Sequence, residues 1–67
     1  LFNKQKFRAS VIAAGLTMDD IAKYLSVNTS TLYRKINGSS DFTRTEIQKL
    51  QKLLSLDMCK ITEIFFA

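Results

Sequence analysis

The sequence predicts an all-α domain, a bundle of five short helices, and three features carry that expectation. Apolar residues recur at helical intervals along nearly the whole chain and nowhere alternate with a period of two. Proline is absent, and the two glycines, Gly15 and Gly38, fall where apolar periodic runs stop. Thr17, Asn28, Thr43 and Asp57 each stand just ahead of such a run, where a helix needs a side-chain acceptor for its orphan N–H groups.

The first helix is expected from about Asn3 to Ala14, with Phe7, Val11 and Ala14 on its apolar stripe, Ile12 beside them, and Lys4, Lys6 and Arg8 off it. Gly15 ends it, because the residue just past a helix often takes a positive φ. Thr17 caps the second helix, Met18 to Leu25, and Asp20 three positions on completes a capping box. Asp19 and Asp20 also suit the positive end of that helix. Ile21, Ala22 and Leu25 form its buried face. Ser26 and Val27 make a short turn, and Asn28 caps a third helix running to about Asn37, with Leu32 and Ile36 inward and Gly38 as its stop. Ser39 to Phe42 is a loop. Thr43 caps the fourth helix with Glu46 as box partner, and Ile47, Leu50, Leu53 and Leu54 form its stripe. Asp57 caps the fifth helix, Met58 to about Phe65, which buries Ile61, Ile64 and Phe65.

The 67 residues make one domain, residues 1–67. A chain this short buries only about 60% of its unfolded surface, so its core must be efficient. A hydrophobic content of 46% supplies that core and argues against disorder. No apolar run approaches the roughly 18 residues of a membrane span, and no signal-peptide pattern opens the chain. The first residue is Leu1 where an initiator would be Met, as in a processed or trimmed chain. Cys59 has no second cysteine to pair with, and with no histidine present a zinc site has too few soft ligands. No cofactor is therefore expected, and a cytoplasmic setting fits. The missing histidine also removes the commonest acid–base group, and there is no Gly-rich phosphate loop, so neither an enzyme nor a small-molecule site is expected. The net charge of +4 is a modest basic excess, compatible with a polyanionic partner.

The informative stretch is Leu16 to Gly38, LTMDDIAKYLSVNTSTLYRKING. It encodes two short helices joined by a tight turn. Small Ala22 lets them approach closely, and Leu25 and Val27 anchor the turn. Leu32 and Ile36 hold the second helix by one face, leaving Thr29, Ser30, Tyr33 and Arg34 projecting from the other. A major groove about 12 Å wide admits one helix, and an arginine can bind guanine O6 and N7 in bidentate fashion. Short hydroxyl side chains at the helix start let backbone approach base edges, and the free first-turn N–H groups suit a phosphate.

The stretch resembles the phage-repressor family (Cro/CI-type, XRE-type) of helix-turn-helix proteins, and STLYRKING followed by a Phe-Thr loop is similar to small prophage-encoded regulators. The resemblance covers nearly the whole chain: helix one, the motif, the Asn37-Gly38 exit, the capped fourth helix and the closing Glu63-Ile64-Phe65-Phe66. It implies a five-helix lambda-repressor-like bundle that binds double-stranded DNA and regulates transcription, as a repressor acting on an operator. By the same resemblance, Asn28, Thr29, Ser30 and Arg34 touch bases or nearby phosphates, Asn37 bonds a phosphate at the helix exit, and Arg44 meets the backbone. Thr17, Met18, Thr31 and Tyr33 complete the expected DNA-binding set. The chain also departs from the pattern. Met18 stands where many relatives carry a glutamine that bridges phosphate and recognition helix, and Ser26 replaces a frequent turn glycine. Val11 and Ile36 stand where some relatives pair an Arg with a Glu, so an apolar contact takes the place of a buried ion pair.

Lys35, Lys49, Lys52 and Lys60 read as solvated lysines, and Lys4, Lys6 and Arg8 as a charged helix face. Phe65 and Phe66 are open to two readings, closure of the core or a dimer interface; a homodimer on a two-fold operator would extend the small contact area of one copy. The competing functional class is a protein-interaction module, an antitoxin- or anti-repressor-like adaptor built on the same core. An occluded or negatively charged outer face on the third helix would favour it. RNA binding is a third class, but no stacking platform is evident beyond Tyr33.

Overall fold

In the computed structural model, which describes residues 2–66, all regular structure among the described residues is helical. The five helices are α1 (Lys4–Ala13), α2 (Met18–Leu25), α3 (Thr29–Ile36), α4 (Arg44–Leu53) and α5 (Met58–Phe65). None is long and apolar enough to cross a membrane.

Each helix starts on a side-chain cap three residues upstream of the N–H it satisfies. Asn3 accepts from Lys6 N at 3.0 Å, Asn28 from Thr31 N at 2.8 Å and Asp57 from Lys60 N at 2.8 Å. Thr17 with Asp20 and Thr43 with Glu46 form reciprocal capping boxes at 2.9–3.2 Å. Each such cap stabilises its helix by about 1 kcal/mol.

The exits share one pattern as well. A residue in left-handed conformation follows each of the first four helices: Gly15 (φ 73°), Ser26 (φ 59°), Gly38 (φ 87°) and Ser55 (φ 53°). Its own N–H and the next one donate back onto the last turn, the second of them as Leu16 N to Val11 O at 3.1 Å, Val27 N to Ala22 O at 3.0 Å, Ser39 N to Arg34 O at 2.9 Å and Leu56 N to Gln51 O at 3.0 Å. This six-to-one closure satisfies carbonyls that a helix end would otherwise strand. In three of the four exits the residue that closes the turn is apolar and packs inward: Leu16 and Val27 are half-buried against the core, and Leu56 is buried in it.

At Ser26 and Ser55 the left-handed backbone brings Cβ close to a carbonyl, a strain of roughly 1 kcal/mol that glycine lacks. Neither side chain makes a hydrogen bond among the described residues that would offset it. Ser26→Gly is therefore expected to raise stability by about 0.5–1 kcal/mol, measured by urea unfolding, despite glycine's greater freedom in the unfolded chain. A loss of stability would show that the serine hydroxyl holds the turn.

The core gathers one face from every helix. Phe7 and Val11 of α1, Ile21, Ala22 and Leu25 of α2, Leu32 and Ile36 of α3, Leu50 and Leu54 at α4, Leu56, and Ile61, Ile64 and Phe65 of α5 are all buried. α2 packs on α3 and α1 on α5. A backbone bond from Asn3 N to Ile64 O at 2.6 Å ties the start of the chain to α5. Val11 and Ile36, the positions read as an apolar substitute for an ion pair, both lie in this core.

Three expectations need correction. Ala14 is exposed, because α1 ends at Ala13 and the chain already turns toward Gly15 there; Leu16 takes the inward place instead. Ile12, expected beside the stripe, is 74% exposed. Lys35 is not solvated: it is 8% exposed, the only buried charged residue among those described. Two further core contributions follow from the tertiary fold. Phe2 and Phe42, outside the helices, join Phe7 and Phe65 in a cluster of four rings with neighbouring centroids 5.1–6.4 Å apart. Phe65 thus closes the core, while Phe66 is 64% exposed.

Candidate nucleic-acid interface

The surface that α3 presents is set by its two faces. Leu32, Lys35 and Ile36 are three and four residues apart and lie underneath, buried. Thr29, Ser30, Tyr33, Arg34 and Asn37 are exposed. Ser30 precedes Tyr33 and Arg34 by three and four residues, and Asn37 follows them by four and three, which places the four along one stripe of the helix surface. No residue of α3 is acidic.

The connector from α2 is short, residues 26–28. The closure of Val27 N on Ala22 O and the half-buried Val27 side chain hold it. Asn28 is exposed, but its side-chain oxygen is engaged in the cap on Thr31 N; its amide N–H groups remain donors toward a partner. Thr31 is half-buried. The N–H groups of Thr29 and Ser30 lie in the first helical turn, before intrahelical pairing begins.

The remaining predicted positions fall at the starts of α2 and α4. Thr17 is exposed, and its oxygen accepts from Asp20 N, which leaves its hydroxyl proton able to donate outward. The Thr17 N–H, bonded to Asp20, holds that carboxyl below the ordinary aspartate range. Met18 is half-buried and packs against the core, so it is a structural contact on the border of the surface. Arg44 is the first residue of α4 and exposed. A cation gains nothing from the positive end of a helix, so helix stability does not account for that arginine. The two ion pairs among the described residues join Lys6 to Glu63 at 3.6 Å and Lys35 to Glu46 at 3.0 Å; Arg34 and Arg44 take part in neither.

Sequence reasoning missed the role of Lys35. Its ammonium donates to the Asp41 carbonyl at 3.0 Å, pairs with Glu46 Oε1 at 3.0 Å and lies 5.9 Å from the centre of the Phe42 ring. The signal was present in spacing, since Lys35 falls between Leu32 and Ile36 on the inward face. Burial pushes the Glu46 carboxyl up, but bonds from Thr43 N–H and Lys35, with the lysine charge, outweigh it and hold the group below the ordinary glutamate range.

A surface trough lined by Ala9, Ala13, Leu54 and Lys60 among others lies elsewhere and shares no residue with the polar face of α3. No family model, curated protein or solved structure matches the chain.

Proposed function

We propose that this chain is a sequence-specific double-stranded DNA-binding domain of the helix-turn-helix type, similar to phage repressors of the Cro/CI kind, and that it regulates transcription by occupying an operator. In this reading α2 and α3 are the motif helices and α3 is the recognition helix. One observation carries it: α3 exposes a polar stripe of Ser30, Tyr33, Arg34 and Asn37, free of acidic residues, over a face pinned by Leu32, Lys35 and Ile36. A stripe of this kind can meet base edges, while Thr17, Asn28 and Arg44 lie at helix starts where phosphate contacts are made. An occluded or acidic outer face on α3 would favour the adaptor reading; Thr29, Ser30 and Arg34 are exposed and α3 carries no acidic residue.

One copy offers a small contact area. Two copies on a two-fold site, with half-sites about one helical turn or 10 base pairs apart, would supply useful specificity. The test is selection of bound sequences from a random duplex pool, repeated across salt concentrations, because counterion release sets much of the affinity. A preferred, two-fold site is expected. Absence of duplex binding even at low salt would end the reading. With the selected site in hand, Arg34→Ala should weaken specific binding by about 1–3 kcal/mol and relax preference at one base position. Unchanged affinity and preference would remove Arg34 from the readout.

A further inference from the structure

The exit from α3 differs from the other three left-handed exits. Leu16, Val27 and Leu56 each fold an apolar side chain inward after the turn, but the equivalent residue after α3 is Ser39, which is exposed. No apolar side chain fastens the loop at that point. Lys35 does so from beneath. Its ammonium holds the Asp41 carbonyl and Glu46 Oε1, each at 3.0 Å. The same Glu46 oxygen accepts Thr43 N–H at 2.9 Å. One carboxylate oxygen therefore joins the last turn of α3 to the first turn of α4, and Phe42 between them is clamped by Phe2 and Phe65. Asn37 and Arg44, both exposed, stand at the two ends of the segment so held.

We propose that Lys35 is a positioning residue for DNA: its buried contacts with Asp41 and Glu46 fix the α3–α4 loop so that Arg44, with Asn37, reaches phosphates while α3 lies in the groove. The inference rests on the DNA-binding reading above. Lys35 touches no DNA in it. It acts through the loop, and the lysine charge is spent internally on Glu46.

The test uses a random-sequence duplex of roughly two turns, about 21 base pairs, since phosphate contacts need no preferred site. Four variants are compared with the wild type well below every melting temperature. Lys35→Met removes the latch but strands the Glu46 charge. Lys35→Met/Glu46→Gln removes both charges and keeps an oxygen for Thr43 N–H, so its melting temperature should return toward wild type. Arg44→Ala removes the phosphate contact itself. The double variant should still bind about tenfold more weakly, equivalent to roughly 1.4 kcal/mol, and its salt slope should fall by about 0.9, one phosphate contact. Arg44→Ala should lower the slope equally, and adding Lys35→Met to it should lower it no further, as expected for groups acting as one unit. The hydrogen-bonded amides of Ser39 and Thr43 should exchange faster in Lys35→Met, while those of Leu32 and Leu50 keep their protection. Wild-type slope in the double variant, or unchanged exchange in the loop, overturns the role of Lys35. Failure of the wild type to bind the duplex instead removes the DNA reading, and that outcome is judged on the wild type alone.

Discussion

Phe7→Ala is expected to destabilise the fold by about 3–5 kcal/mol, about a third of its stability or more. A domain of this size is stable by only about 3–10 kcal/mol, at roughly 0.05–0.15 kcal/mol per residue. Phe7 is fully buried, with its ring centre 5.4 Å from Phe2, 6.1 Å from Phe42 and 6.4 Å from Phe65. Truncation removes its burial and leaves a cavity bordered by rings from three other parts of the chain, at a cost of about 3–5 kcal/mol. The cavity cannot close by a shift of one helix, because Phe2 precedes α1, Phe42 lies in the α3–α4 loop and Phe65 ends α5. Phe7→Leu, which refills most of the volume, should retain a transition at reduced midpoint. Far-UV circular dichroism during thermal and urea unfolding measures both. A loss under about 1 kcal/mol for Phe7→Ala would mean that the ring cluster is not the organising part of the core.

The second large effect is expected at Glu46. Glu46→Ala leaves the buried Lys35 ammonium with the Asp41 carbonyl but no counter-charge, and it also deletes half of the α4 capping box. Breaking a fully buried pair from one side costs about 3–5 kcal/mol; Glu46 is only half-buried and the carbonyl bond is retained, so the loss here should be nearer about 2 kcal/mol. Glu46→Gln, which can still accept from Thr43 N–H, should lose less. The same group sets an acid limit. Its folded pKa lies below the ordinary value of about 4.3, so the carboxylate binds protons more readily in the unfolded chain. Its contribution is complete above that ordinary value and is lost as pH falls through the lowered folded one. Urea midpoints between pH 7 and pH 3 should therefore drop in acid for the wild type and drop less for Glu46→Ala. Parallel curves for the two proteins would show that Glu46 is not a source of the acid sensitivity.

These two sites differ in how legible they were. Phe7 announces itself by helical spacing with Val11. Glu46 was legible as a cap, because its partner Thr43 is three residues away and the motif is local. Its second role depends on Lys35, on another helix and beyond a loop, and no local pattern records that pairing. Long lysine side chains usually reach solvent even from an inward position. Only the presence of a carbonyl and a carboxylate within 3.0 Å makes burial of this one tolerable.

Along the proposed DNA-binding surface, the exposed positions Thr29, Ser30, Tyr33 and Arg34 were legible from period, as the complement of Leu32 and Ile36, whereas Asn37 entered through the family resemblance. Met18 was less so. Its match to a glutamine position of the resembled family put it with the surface residues, and packing drew its side chain half inward. Ser26 stands where the resemblance puts a frequent turn glycine, and its φ of 59° lies in the left-handed region that glycine favours. The equivalent strain at Ser55 had no glycine to mark it.

The order of residues by itself determined where the helices start and stop and which stripe of each turns inward, because caps, left-handed exits and apolar spacing act over three to six residues. The assembled fold alone decided that Phe2 and Phe42 complete a ring cluster and that Lys35 is withdrawn from solvent to fasten the α3–α4 loop. Those contacts join segments distant in the chain, and their energies depend on burial and charge pairing that exist only once the helices have packed.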